Sequence, residues 1–172
     1  MAEARLRLSD DHHAVSEVLE SLLTALESRD VQTSHSRLDL LWARLAVHIR
    51  AEHLHLFPAV SSRSTKAVVE TLRVDHDFFM RELARAIGIL RELPLRTMSS
   101  ASDEVNFAVV GEIVREVEKR LAVHNEIEET QIYKWSSTML TESEQLELLA
   151  RINVELENRP SRFSEEAWAN LL

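Results

Sequence analysis

Apolar residues recur at spacings of three and four along most of the chain. In a first segment, from about Asp10 to Glu27, Val15, Leu19, Leu22 and Leu26 form one stripe, the pattern of a helix with one buried face. Ser9 or Asp10 is placed to cap it. A second segment runs from about Ser36 to Phe57 with Leu38, Leu41, Leu45 and Ile49 inward, and Pro58 with the serines after it reads as a stop. A third starts near Ser64 or Thr65 and runs to about Leu93, with Val69, Leu72, Phe79, Leu83 and Ile87 inward and Pro94 as its stop. After a polar connection over 93–104, a fourth segment spans about Asp103 to Trp135 with Val110, Val114, Val117 and Leu121 inward. Thr141 with Glu144 makes a capping box for a fifth, about Glu142 to Glu157, ended by Arg159 and Pro160. Residues 164–172 read as a last short amphipathic turn. No alternation of period two competes with these patterns. The expected architecture is all-α: an antiparallel up-and-down four-helix bundle over about residues 8–136, with an extra C-terminal helix in an appendage over about 141–172. The whole chain, 1–172, reads as one domain.

Composition supports this and narrows the function. With 172 residues the chain can bury a sizeable core, and its 2 glycines and 3 prolines leave little for the turns of a β fold. There is no cysteine, so disulfides, thiolate metal sites and cysteine nucleophiles are excluded. A formal net charge of −9 argues against nucleic acid and against anionic membrane surfaces. The N-terminal stretch lacks the apolar run of a signal peptide, and no segment approaches the ~20 apolar residues that span a bilayer. A cytoplasmic protein is expected, with neither nucleic acid nor membrane as partner; the sequence names no protein partner. The oddity is 8 histidines.

Several of those histidines fall on the apolar stripes. Stepping back from Val15 reaches His12, and stepping on from Leu45 reaches His48, then Glu52, then Leu56. Stepping back from Phe79 reaches His76, and Leu121 leads to His124, Glu128 and Ile132. His13 falls on the wet face, His35 and His53 read as surface residues, His55 lies off the stripe, and Glu126 and Glu129 sit to the sides. A weak internal repeat frames these positions: Asp-His opens each half, and His-x-x-x-Glu closes it. In an antiparallel bundle His12, His48, Glu52, His76, His124 and Glu128 all arrive at one end. Two buried carboxylates without a cation would cost several kcal/mol each, roughly, so these six are the candidate metal ligands. Four imidazoles and two carboxylates divide into two ions, each with two histidines and both glutamates bridging. Mixed nitrogen and oxygen donors suit iron or manganese. Glu52-x-x-His55 has the spacing of ferritin-like di-iron bundles, but that class needs a second such pair, which is absent.

The ordered set Asp-His12, His48-x-x-x-Glu52 followed by Leu-Phe-Pro, Asp-His76, and His124-x-x-x-Glu128-Glu129 followed by Ile-Tyr resembles the hemerythrin-like, or HHE cation-binding, domain family. The resemblance covers about residues 8–136. It implies a non-haem di-iron centre, oxo- or hydroxo-bridged, with His12, His48, His76 and His124 as terminal ligands and Glu52 and Glu128 as bridges. Manganese and zinc are the other occupants that a purified sample could carry. The chain departs from the oxygen-carrying hemerythrins. Met80 stands where they place a further histidine, Glu128 comes four residues after His124 where they have an aspartate five after, and Lys134 replaces a common proline. The implied function is binding or reduction of a small diatomic or peroxide (O₂, peroxide or NO) without reversible oxygen carriage. The competing reading is an iron- or oxygen-responsive binding module, or an iron-handling protein, without turnover. The cysteine-bearing N-terminal segment usual in the iron-centre repair relatives is not seen ahead of this domain.

Overall fold

The structure is a computed structural model, and it describes residues 2–93 and 100–160. Among these residues every regular element is helical. They are α1 (Ala2–Glu27), α2 (Val31–Ala51), a π-helical turn π1 (Glu52–Leu56), α3 (Phe57–Val60), α4 (Lys66–Arg91), α5 (Ala101–Ile127), a second π turn π2 (Glu128–Ile132), α6 (Tyr133–Met139) and α7 (Glu142–Glu157).

Local chemistry sets the boundaries. Thr141 and Glu144 form the expected capping box, and α7 has the expected bounds. A second box, Ser100 with Asp103, starts α5 at Ala101. Two helices start earlier than the stripes indicated. α2 begins at Val31 rather than near Ser36, because the Asp30 carboxylate accepts the Thr33 N–H at 2.9 Å and caps it there. α1 begins at Ala2, so neither Ser9 nor Asp10 is a cap; the intervening Ala, Glu, Arg and Leu are strong helix formers, and the Ser9 hydroxyl donates instead to Glu129 Oε1 at 3.1 Å. Pro58 does not end the second segment. It sits at the start of α3, after a π turn, where a missing N–H costs little. The fourth segment runs past Trp135 to Met139. Residues 94–99 of the 93–104 connection, Pro94 among them, and the turn expected over 164–172 lie outside the described residues.

The long helices α1, α2, α4 and α5 form a closed ring of contacts: α1 with α2, α2 with α4, α4 with α5, and α5 with α1. α7 lies against α2, α1 and π1. The apolar side chains collect in two clusters. The larger includes Leu22, Leu38, Trp42, Leu83 and Val114. The smaller includes Leu56, Phe57, Leu72, Ile132 and Tyr133, and Leu148 and Ile152 of α7 close it. Every long helix passes from one cluster to the other through a polar position. α1 goes from Leu8 through His12 to Val15, and α4 from Leu72 through His76 to Phe79. On the α2 and α5 segments the polar positions are His48 with Glu52 and His124 with Glu128, followed by Leu56 and Ile132. A polar layer therefore lies between two apolar ones. Among the described residues no helix is long and apolar enough to cross a membrane.

Candidate metal centre

All six sequence-derived candidates lie in that layer. His12, His48, Glu52, His76, His124 and Glu128 are buried, and the two glutamates have no exposed surface at all. His12 Nε2 faces His48 Nε2 at 3.2 Å, and His76 Nε2 faces His124 Nε2 at 2.9 Å. Carboxylate oxygens fill the space between the pairs. Glu128 approaches His12 Nε2 at 3.1 Å and His124 Nε2 at 3.0 Å, and Glu52 approaches His48 Nε2 at 3.4 Å and His76 Nε2 at 3.3 Å. Even at these distances, none of the four glutamate oxygens completes a hydrogen bond. The donors crowd into common centres. Two nitrogens bound at about 2.1 Å to one ion, at right angles, stand about 3.0 Å apart, which is the spacing seen here. Two groups of donor atoms converge within 4.8 Å: Glu52, His76, His124 and Glu128 in one, and His12, His48 and Glu128 in the other.

The far side of three of the rings fixes which nitrogen is free. Asp11 Oδ2 lies 2.9 Å from His48 Nδ1, and Asp75 Oδ2 lies 3.2 Å from His124 Nδ1. Glu129 Oε1 lies 3.3 Å from His12 Nδ1. A carboxylate only accepts, so Nδ1 carries the proton and donates, and in the neutral ring Nε2 presents a lone pair to the centre. The aspartates are steadied in turn: Arg44 donates to Asp11 Oδ1 at 3.2 Å, and Arg120 donates to Asp75 Oδ1 at 2.7 Å. Each Asp-His pair thus serves two helices, the histidine facing the centre and the aspartate orienting a histidine of the next helix.

Without a cation the layer is balanced by protons. Burial pushes His124 down, but the facing Glu128 carboxylate and the bond to Asp75 outweigh it and hold His124 up at about 9. His48 is raised well above its usual value in the same way, against burial, by Glu52 and Asp11. Burial would raise Glu52, and His48 and His76 reverse this and hold it well below its usual value. Glu128 is also lowered, against burial and the Glu52 charge, by His124 and His12.

The π turns carry a further part of the site. Each begins at a core glutamate, and the Phe57 and Tyr133 N–H groups reach back to the carbonyls of Glu52 and Glu128, five residues away. The wider turn brings the fifth residue onto the face that holds the glutamate. Phe57 stacks on His76 with centroids 5.7 Å apart, and Tyr133 stacks on His12 at 5.9 Å with its hydroxyl 3.2 Å from Nε2.

The other polar candidates are placed as follows. His13 is exposed, as expected, and His55 turns to Glu155 at 3.8 Å. His53 is not a free surface residue: it is half-buried, its Nε2 lies 2.9 Å from His76 Nδ1, and burial lowers its pKa to about 4. His35 is also half-buried. Glu129 reaches inward to His12 rather than sitting aside. The repeat held the signal for these contacts, since His53 and Glu129 both follow a core glutamate and each contacts the Asp-His histidine of the other half. On the side of the large cluster the four imidazoles line a small cavity of about 10 Å³, walled by Val15, Leu45, Ile49, Phe79, Leu121 and Asn125.

Comparison with known proteins agrees with this chemistry. The family model described as the hemerythrin HHE cation binding domain matches residues 6–136. No curated protein and no solved structure matches the chain.

Proposed function

The chain belongs to the hemerythrin HHE cation-binding domain family, and on that premise we propose that it is a non-haem di-iron protein that binds or reduces a small oxidant: O₂, peroxide or nitric oxide. In this reading the ring of long helices is an antiparallel up-and-down bundle, the chain is one domain, and the protein works in the cytoplasm.

The observation that carries the reading is the set of four carboxylate oxygens of Glu52 and Glu128, buried and without hydrogen bonds, amid four imidazole nitrogens. Protons on the facing histidines balance these carboxylates when no metal is bound, a cation would take the place of those protons, and the nitrogen–oxygen donor set fits iron. His12 and His48 would hold one ion, His76 and His124 the other, with Glu52 and Glu128 shared. Bound iron would supply the electrons, or the open coordination position, that a small oxidant needs. The protein's own residues do the rest. Asp11, Asp75 and Glu129 keep the Nε2 lone pairs aimed at the centre. Val15, Leu45, Phe79 and Leu121 keep bulk water from the imidazoles, leaving room for about one water-sized guest. Met80, buried at 1% exposure, offers only a soft thioether where an oxygen carrier has a further histidine. We therefore infer oxidation in place of reversible oxygenation.

Anaerobic titration with ferrous iron tests this reading. Two equivalents should bind per chain. Exposure to air should then give lasting oxidation that removal of O₂ does not reverse. A single tight zinc ion with no second site would overturn the di-iron reading, and repeated reversible oxygenation would overturn the exclusion of carriage.

A further inference from the structure

The donors of the centre do not divide evenly. Four His and Glu donors lie within 4.8 Å of one another on the His76 and His124 side, whereas on the other His12, His48 and Glu128 do, with the shared Glu52 meeting only His48 there. That poorer side is where Tyr133 points. Its Oη lies 3.2 Å from His12 Nε2, and the same nitrogen is 3.2 Å from His48 Nε2 and 3.1 Å from Glu128 Oε2. Three atoms thus keep one spacing from His12 Nε2, the spacing of neighbouring ligands around one ion. We propose that Tyr133 is a metal ligand, its phenolate oxygen joining His12, His48 and Glu128 around the second ion. The inference rests on the di-iron reading.

Hydrogen-bond accounting leads to the same place. His12 Nδ1 faces the Glu129 carboxylate and carries the ring proton, so Nε2 accepts from the Tyr133 hydroxyl when no metal is bound. A metal on His12 takes that lone pair. The hydroxyl then loses its acceptor, and at 2% exposure, stacked on His12, it cannot turn to solvent. A buried hydroxyl left without a partner is costly, and the nearest acceptor of its oxygen lone pair is the ion that displaced it. On coordination the O–H bond breaks, a metal–oxygen bond forms, and the proton is released with any displaced from the histidines; no oxidation state changes. A ferric ion, hard and highly charged, is the occupant that best offsets the cost of ionising a buried phenol. The other half provides an internal control. Phe57 holds the equivalent place after Glu52 and stacks on His76, where four donors already converge and no oxygen is needed.

The chain contains a single tyrosine, so its signature is unambiguous. The full chain is loaded with two equivalents of ferrous iron, oxidised to the diferric state with ferricyanide, and examined by resonance Raman spectroscopy in the visible. Enhanced phenolate ring modes are expected, shifting when the protein is made with ring-deuterated tyrosine. Tyr133→Phe should lose these modes while two irons remain bound; if that variant does not fold, the isotope shift in the unaltered protein decides alone. Two bound ferric ions with no phenolate modes would overturn the inference and leave the di-iron reading standing. Modes that persist in Tyr133→Phe would overturn it equally. Failure to bind two metal ions would overturn the di-iron reading and the inference with it.

Discussion

His12 and His13 are neighbours in sequence and opposites in chemistry. One is buried with its Nε2 in the polar layer, and the other is exposed. His12→Ala should therefore abolish binding of one iron equivalent, whereas His13→Ala should leave affinity within about twofold; the same contrast is expected between His48→Ala and His55→Ala. Stoichiometric titration measures both, and an essential His13 or His55 would show that the faces are misassigned. Protonation gives a second consequence at this scale. His124 is held at about 9 in the metal-free fold, against about 6.5 in an unfolded chain. A raised value stabilises the fold fully below the unfolded value, and that contribution is lost as pH rises through the folded one. The metal-free protein should lose up to a few kcal/mol of stability between about pH 6.5 and 9. The metal-loaded protein, whose ring nitrogen holds an ion instead of a proton, should lose much less. Parallel melting curves for the two forms across this range would contradict the assignment.

At the scale of elements, the stripes of three and four made the inward histidines and glutamates legible. Each is one helical step from an apolar residue, and burial follows that geometry directly. What the stripes could not reveal depends on a neighbouring helix. Asp11, Glu129 and His53 matter because of rings on other elements, and no spacing within one helix encodes that. The early starts of α1 and α2 were hidden for a local reason: Asp30 and the residues from Ala2 to Leu8 lie beyond the apolar periodicity. The π turns were hidden because period-counting assumes a uniform helix. It selected Leu56 and Ile132, which are buried, and passed over Phe57 and Tyr133, which the wider turn brings to the centre. Inserting one alanine after exposed Thr130 adds a residue that π2 cannot absorb and should rotate the following residues by about 100°, carrying Tyr133 off His12. Circular dichroism should still report a helical protein, and iron affinity should fall at least about tenfold. Unchanged affinity would mean that the π geometry is incidental to the site.

At the scale of the whole molecule, the polar layer is held between two apolar clusters, with α7 covering the smaller one through Leu148 and Ile152. This placement reconciles costly buried charges with a fold built almost entirely from apolar stripes, since the ionisable groups are confined to one level and the helices are apolar above and below it. It also turns the cavity of about 10 Å³ into a sieve. A guest the size of hydrogen peroxide needs little more room than a single water takes, whereas an aryl or tertiary hydroperoxide would have to part the Val15, Leu45 and Phe79 wall. Diferrous protein should therefore be oxidised at least about tenfold faster by hydrogen peroxide than by cumene hydroperoxide, although the two carry the same O–O bond. Equal rates would mean that the wall opens as fast as the reaction runs. If the sieve holds and the centre is the di-iron site proposed above, a bulky reductant is excluded by the same mesh, and electrons returning to it would arrive by tunnelling through the helices rather than by contact.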